Sequence, residues 1–344
     1  MAPATLFPPI TPDYLLSFQF SSWYPKFSHI SIKSTIIRPL DQAFRDYLDS
    51  DGVFVPKGSG DLLAESSLSD DDDDDSDDAS VGQQFAFPEL DAHIRKAIQD
   101  YGAVFPKLNF SSPKDASWVL PASSPLKCTA PADVYLLLKS SDFISHDLSP
   151  DTVFAGCDTG IADSPTYELE LVLRKWYPVD RSRELRCFVR EGSLIGICQR
   201  DTNYYDFMNE RQTRDTITTT VQRFWDENIK LKWEGEQDYT FDLLLTRDLS
   251  RAHILDFNPY ALRTDPLLFT YEDLSSLLAT SQSAPDLRII DSPTHPVAAR
   301  NAPAHQHNMV PLEALSLSNG RGIDEFADLW REEIKKSMDD ESKN

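Results

Sequence analysis

The sequence lacks every common phosphate loop: neither G-x-x-x-x-G-K-[ST] nor G-x-G-x-x-G occurs in its 344 residues. Lys57-Gly58-Ser59-Gly60 stands beside acids and does not qualify. Phosphates, if bound, must therefore be met by side chains on strands and not by a cradle of backbone amides. Cysteine is scarce as well. Cys128, Cys157, Cys187 and Cys198 form no C-x-x-C pair and no zinc spacing, so reduced thiols in a cytosolic fold are expected. Basic charge is short, with 33 Lys and Arg against 56 Asp and Glu, and the formal net charge of −23 repels a nucleic-acid backbone. Proteins with basic surfaces suit it better as partners. The opening MAPATLFPPITPDY has no basic n-region and no uninterrupted apolar stretch, so neither a secretory signal nor a transmembrane helix is expected. The expectation is a cytoplasmic or nuclear monomer without membrane or nucleic-acid partners.

Much of the negative charge is local. Between Lys57 and Phe85, ten acidic residues including Asp70 to Asp75 stand against one lysine, and a Ser/Gly/Asp-rich stretch of this kind buries too little apolar area to order itself. A disordered acidic loop is expected over 53–85.

The rest of the chain mixes helical and strand periods. Ile30, Ile32, Ser34 and Ile36 alternate as a strand; Ala43, Phe44, Tyr47 and Leu48 share a helical face over Asp41 to Ser50. Leu90, Ile94, Ala97, Ile98 and Tyr101 mark a helix stopped by Gly102, and Val134, Tyr135, Leu137 and Leu138 mark another. Tyr167 to Trp176 reads as a strand, and Arg183 to Arg190 with Leu194 to Arg200 as a hairpin. Ile217, Val221, Phe224 and Trp225 stand at i, i+4, i+7 and i+8 of a further helix. No βαβ repeat organises these segments, which argues for an α+β fold.

The strongest chemical signal is a pair of acidic strands, DYTFDLLL over Asp238 to Leu245 and AHILDFN over Ala252 to Asn258. Tyr239, Phe241, Leu243 and Leu245 share one face, which puts Asp242 on the other; Asp256 and Asn258 share a face too. A hairpin symmetric about Leu249 pairs Asp242 with Asp256, and directly opposed residues point to the same side. Two carboxylates and an amide oxygen then converge, a donor set that suits Mg²⁺. The other reading makes Asp242 an Arg-paired strand residue and Asp256 and Asn258 turn caps before Pro259. Cations also lie on strands: Lys107, Arg174, Arg186 and Arg200. With the second hairpin centred on Gly192, Glu184 opposes Arg200 and Arg186 opposes Cys198, so these charges share a face. An ion pair that only supports the hairpin is the alternative for Arg200 and Glu184.

The segments FSSWYPKFSHISIKS, VFPKLNFSSPKDASW, LKC, LLKSSDFI, YELELVLRKW, ELRCFVREGSLIGICQRD, FDLLLTRD and ILDFNPYALRTDPLLFTYEDL, in this order over about Phe18 to Leu274, closely resemble the cell division cycle protein 123 family. The resemblance implies an ATP-grasp fold of two lobes with the nucleotide site between them. It also implies Mg·ATP as ligand and a chaperone role in assembling eukaryotic translation initiation factor 2 through its gamma subunit. Carried over by motif, Lys107, Asn109 and the stretch from Phe110 through Ser112 and Lys114 to Asp115 would lie over phosphates and ribose. The strand end Val172, Arg174, Lys175 and Trp176 would receive the adenine. Arg186, Arg200 and Asp201 would face the phosphates, and Asp242, Asp256 and Asn258 would hold Mg²⁺. The lobes are expected over 18–165 and 166–278, followed over 279–344 by a Pro/Ser-rich linker and a helix at Phe326, Leu329, Trp330 and Ile334. A carboxylate–amine ligase is the alternative activity of such a fold.

Overall fold

The computed structural model describes residues 6–60, 85–121, 123–157, 166–280 and 284–299. The acidic loop and the C-terminal helix expected from the sequence lie, for the most part, outside these residues. Two compact units divide the chain: Met1–Asp201 with Tyr205–Ile289, and Thr202–Tyr204 with Ile290–Asn344.

The first unit contains two sheets. The smaller has the order β1 (Ser34–Ile37), β3 (Leu171–Lys175), β2 (Val104–Lys107), antiparallel throughout. The larger has the order β7 (Ala252–Pro259), β6 (Tyr239–Leu245), β4 (Glu184–Arg190), β5 (Ser193–Gln199), β8 (Asp286–Arg288), antiparallel except for the β5–β8 pair. The fold is α+β, as the mixed periods indicate.

The central strand of the small sheet explains its own composition. Leu171 and Leu173 are fully buried against Phe44 and Tyr47 of α3 (Gln42–Asp49), Ile94 and Ala97 of α4 (Pro88–Tyr101), and Val134, Leu137 and Leu138 of α5 (Pro131–Lys139). Val172, one step on, joins the core of the large sheet instead. A strand covered on both faces reads as a continuous apolar run, so its alternation is hidden. Sequence reading groups this strand with the second lobe and extends it over Tyr167 to Trp176. It is shorter, and its hydrogen bonds go to β1 and β2, 65 to 140 residues earlier. Gly102, with φ of 82°, ends α4 where a left-handed residue is required.

The large sheet is covered on one face by α7 (Arg211–Asn228), whose Ile217, Val221, Phe224 and Trp225 meet Leu185, Cys187, Tyr239 and Leu243. Its other face carries Phe188, Ile195 and Cys198, packed with Phe269, Tyr271 and Leu274 at the start of α8 (Tyr271–Thr280). Gly196 permits that approach, since a Cβ there would stand 3.0 Å from a Leu274 methyl and 3.1 Å from the Phe269 ring.

Two expectations are corrected. The folded chain starts before Phe18: Thr11 caps α1 (Pro12–Leu16), and the buried Tyr14 hydroxyl donates to the Asp238 carbonyl at 2.8 Å while accepting from the Tyr260 amide at 2.7 Å. α2 (Phe20–Phe27) then buries Phe20, Trp23 and Phe27, although Pro25 inside it disguises its helical period. The segment assigned to a linker from 279 onward contributes β8, which buries Leu287 at the sheet edge but spans only three residues, too few to show alternation. Two further short helices are α6 (Pro150–Val153) and α9 (Pro296–Ala299), the latter in the second unit. Among the described residues no helix is long and apolar enough to cross a membrane.

Candidate functional site

Both hairpins have, at their charged ends, the register that alternation predicts. Asp242 faces Asp256 and Thr240 faces Asn258; Arg186 faces Cys198. Each hairpin also contains an irregularity that symmetry about the turn does not foresee. Near its turn the β6–β7 ladder pairs Leu243 with Ile254, and a bulge shifts the register before Asp242. Without that extra residue Asp242 would face Leu255, and Asp256 would turn into the apolar core beside Phe241. A corresponding shift between Phe188 and Val189 sets the charged end of β4–β5.

β4 lies between β5 and β6 and pairs Arg186 with Asp242 directly. The contact is a bidentate fork: Arg186 Nε donates to Asp242 Oδ1 at 2.8 Å and Nη2 to Oδ2 at 2.9 Å, while Nη1 donates to the Asp265 carbonyl at 2.7 Å. Arg200 adds a second guanidinium, with Nε 3.1 Å from Asp242 Oδ2 and Nη1 2.9 Å from Glu184 Oε2. Burial raises the Asp242 carboxyl, but the two arginines outweigh it and hold the group well below the ordinary carboxylate range. The small sheet supplies the other half. Lys107 at the end of β2 is 1% exposed, donates to Asp256 Oδ2 at 3.0 Å and also donates to the Phe110 carbonyl. The two sheets are thus joined by charge at this point.

Two cations remain with unmet capacity. Arg174 on β3 is buried and lies over the Phe20 ring, and neither its Nε nor its Nη2 has a hydrogen-bond partner among the described residues. Burial lowers its affinity for its proton, and Asp256, Tyr24 and Glu184 oppose that shift. Lys114 keeps an exposed side chain. Its ammonium is repelled by Arg200 and attracted by Glu184, Asp242 and Asp256. Five cations (Lys107, Lys114, Arg174, Arg186, Arg200) therefore meet four carboxylates (Glu184, Asp242, Asp256 and, beside Arg186, Asp265), a formal surplus of one positive charge within a chain of −23. Unpaired buried guanidinium N–H groups are costly, and an anionic ligand with several oxygens would satisfy them.

Other residues singled out from the sequence are engaged in building the site's walls. Asn109 is fully buried; its Nδ2 donates to the Glu168 carbonyl at 2.7 Å and its Oδ1 accepts from the Glu170 amide at 2.9 Å. Asp115 accepts from Ser141 Oγ at 2.5 Å and from the Asp142 amide at 2.8 Å. The Ser112 carbonyl accepts from the Lys114 amide at 2.8 Å, a tight turn that sets where the lysine leaves the chain. Val172 lies opposite Lys107 and contributes apolar surface. Lys175 lies over the Tyr177 ring, Trp176 Nε1 donates to the Pro125 carbonyl at 3.1 Å, and Asp201 accepts from the Tyr205 hydroxyl at 3.0 Å.

Asp147 was not signalled by the sequence. It is fully buried and accepts from the Phe110 amide at 2.8 Å, the Ser111 amide at 2.9 Å and Ser111 Oγ at 2.9 Å, fixing the turn that follows Lys107. A carboxylate whose partners are backbone amides more than thirty residues away leaves no motif.

The donor set also fits a hard divalent cation. Asp256 is partly exposed and the Asn258 side-chain amide makes no hydrogen bond among the described residues, while Asp242 accepts two hydrogen bonds from Arg186 and forms an ion pair with Arg200. Among the described residues no group of three or more His, Cys, Asp or Glu could hold a metal on its own, so any such ion would depend on ligand oxygens as well.

The chain matches the family described as D123 over residues 23–318. A Schizosaccharomyces pombe protein named "Translation initiation factor eIF2 assembly protein" is 36% identical over 335 residues, covering 95% of this chain and 98% of the relative. A Botryotinia fuckeliana protein of the same name is 36% identical over 337 residues, 96% of this chain and 77% of the relative. Among solved structures, Cdc123 from Schizosaccharomyces pombe superposes with a TM-score of 0.67 at 34% identity, covering 83% of this chain and all of that one. With a family match over residues 23–318 and a relative 36% identical over 98% of its own length, the chain belongs to the D123 family.

Proposed function

We propose that this protein takes part in assembling eukaryotic translation initiation factor 2, engages the gamma subunit of that factor, and does so as a Mg·ATP-binding protein of ATP-grasp type. The observation that carries the assembly role is the near full-length similarity to relatives named for it. Support for the nucleotide comes from the surplus of cations, above all the buried Arg174 with its Nε and Nη2 unpartnered among the described residues, beside an opposed carboxylate pair. When bound, ATP and magnesium would supply a polyphosphate and a hard cation. Lys107, Lys114, Arg174, Arg186 and Arg200 would meet the phosphates; Asp242, Asp256 and Asn258 would hold the cation. The Lys175–Trp176 end of β3 would border the base.

Calorimetric titration tests the nucleotide: ATP with Mg²⁺ is expected to bind, and Asp256→Ala to weaken binding by at least about tenfold, since one charge-assisted contact is worth roughly 1.5–3 kcal/mol. No binding to the folded wild type would reduce the protein to a scaffold. Capture of the isolated gamma subunit tests the partner, and a new covalent product formed with ATP would favour a carboxylate–amine ligase.

A further inference from the structure

The carboxylates suited to a metal are the same ones that the phosphate-facing cations hold. Asp242 is gripped by Arg186 at 2.8 and 2.9 Å and by Arg200 at 3.1 Å, and Asp256 by Lys107 at 3.0 Å. A divalent cation arriving alone must displace the guanidinium and ammonium groups that hold these carboxylates, and it adds two positive charges where cations already outnumber carboxylates. A polyphosphate with about four negative charges arriving alone meets Asp242 and Asp256 at close range. Together the two ligands carry about −2, opposite in sign to the surplus of the cluster.

We infer that these ion pairs form an exchange latch that makes cation and polyphosphate binding mutually dependent. Resting on the nucleotide reading above, the latch works as follows. Arg186, Arg200 and Lys107 turn from the carboxylates to phosphate oxygens. Asp242 and Asp256, released from their guanidinium and ammonium partners, become available to the cation in the same event. Arg174, with no anion to give up and its Nε and Nη2 unpartnered among the described residues, is the contact that a phosphate can make first. The site thereby excludes free divalent ions although it presents two opposed carboxylates. Each ligand raises the affinity of the other by the same factor, because linkage is reciprocal.

Free Mn²⁺, counted by its electron paramagnetic resonance signal, is the probe. With the Mn²⁺ that ATP alone chelates subtracted in a protein-free control, wild-type protein is expected to bind Mn²⁺ at least about tenfold more tightly with ATP present than without it. The distinguishing result is a gain. Arg200→Gln removes one of the two guanidinium charges beside Asp242 and should raise the affinity for Mn²⁺ alone by about tenfold while lowering that for ATP with Mn²⁺. Lys107→Gln acts on the other carboxylate and should shift both affinities in the same directions, which keeps the test readable if one variant misfolds. Tight binding of Mn²⁺ with ATP to the wild type, but no gain in Mn²⁺-only affinity in either folded variant, overturns the latch and leaves the nucleotide reading intact. Absence of any Mn²⁺ with ATP binding to the wild type overturns both.

Discussion

Asp242→Ala is expected to lower the unfolding free energy by about 3–5 kcal/mol, the usual cost of removing one partner of a buried ion pair and leaving the other charge uncompensated. Asp242 is 2% exposed, and its loss strips Arg186 of both arms of its fork and Arg200 of one contact. Only the Asp265 carbonyl would still accept from Arg186. Urea unfolding midpoints measure the effect, and a shift worth under about 1 kcal/mol would mean that the arginines are solvated or re-paired and not held by this carboxylate. The pH dependence has a definite sign. A carboxyl held below its ordinary value contributes stability that is fully present above the unfolded value near 3.9 and is lost only as pH falls toward the folded one. The difference between wild type and variant should therefore stay constant from about pH 8 to about pH 5. Asp256 behaves differently: it is partly exposed, and Lys107 retains the Phe110 carbonyl when Asp256 is removed. Its loss is expected to cost the fold less than that of Asp242, because one ion pair is broken and not two.

The sequence made the charged face of the large sheet legible because period-2 alternation is a local signal. It correctly paired Asp242 with Asp256 and Arg186 with Cys198 without any knowledge of the bulges. Those bulges were hidden for a physical reason: one extra residue leaves composition unchanged and shifts only the pairs nearer the turn. The helix carrying Ile217, Val221, Phe224 and Trp225 was legible on the same ground, since its four apolar residues face one core. What stayed hidden is non-local. β3 gives no sign of which strands it will join, because both of its faces are covered and both partners lie far back in the chain. The sequence leaves Asp242 open between a metal ligand and an Arg-paired residue; it is Arg-paired, and a metal role requires that pairing to be exchanged. Asn109 and Asp115 stand in the motif that suggests phosphate contact, yet their polar atoms bond backbone and side chains of the surrounding loops.

Asp147→Ala is expected to destabilise the fold by about 3 kcal/mol and to weaken ATP binding by at least about tenfold, although Asp147 touches none of the cations. The reasoning runs through the turn after β2. The Leu108 amide donates to the Ser111 carbonyl at 2.9 Å, and within that turn Asp147 accepts from the Phe110 and Ser111 amides, so the carboxylate occupies the concave side of the loop. The Phe110 carbonyl on the same turn accepts from Lys107, and the Asn109 carbonyl accepts from the Phe20 amide at 3.0 Å, tying in α2. Alanine would leave two amides to find water in a place where Asp147 is 0% exposed, and each bond lost to a charged acceptor is worth roughly 1.5–3 kcal/mol before relaxation. Relaxation moves the Phe110 carbonyl, and with it one of the two groups that aim Lys107. Asp147→Asn keeps one oxygen acceptor and should fall between wild type and alanine in both measurements. Urea unfolding and calorimetric ATP titration read the two effects separately. Full stability with lost binding would make Asp147 a direct ligand contact, whereas lost stability with unchanged binding in the folded fraction would show that Lys107 is aimed by Asp256 alone.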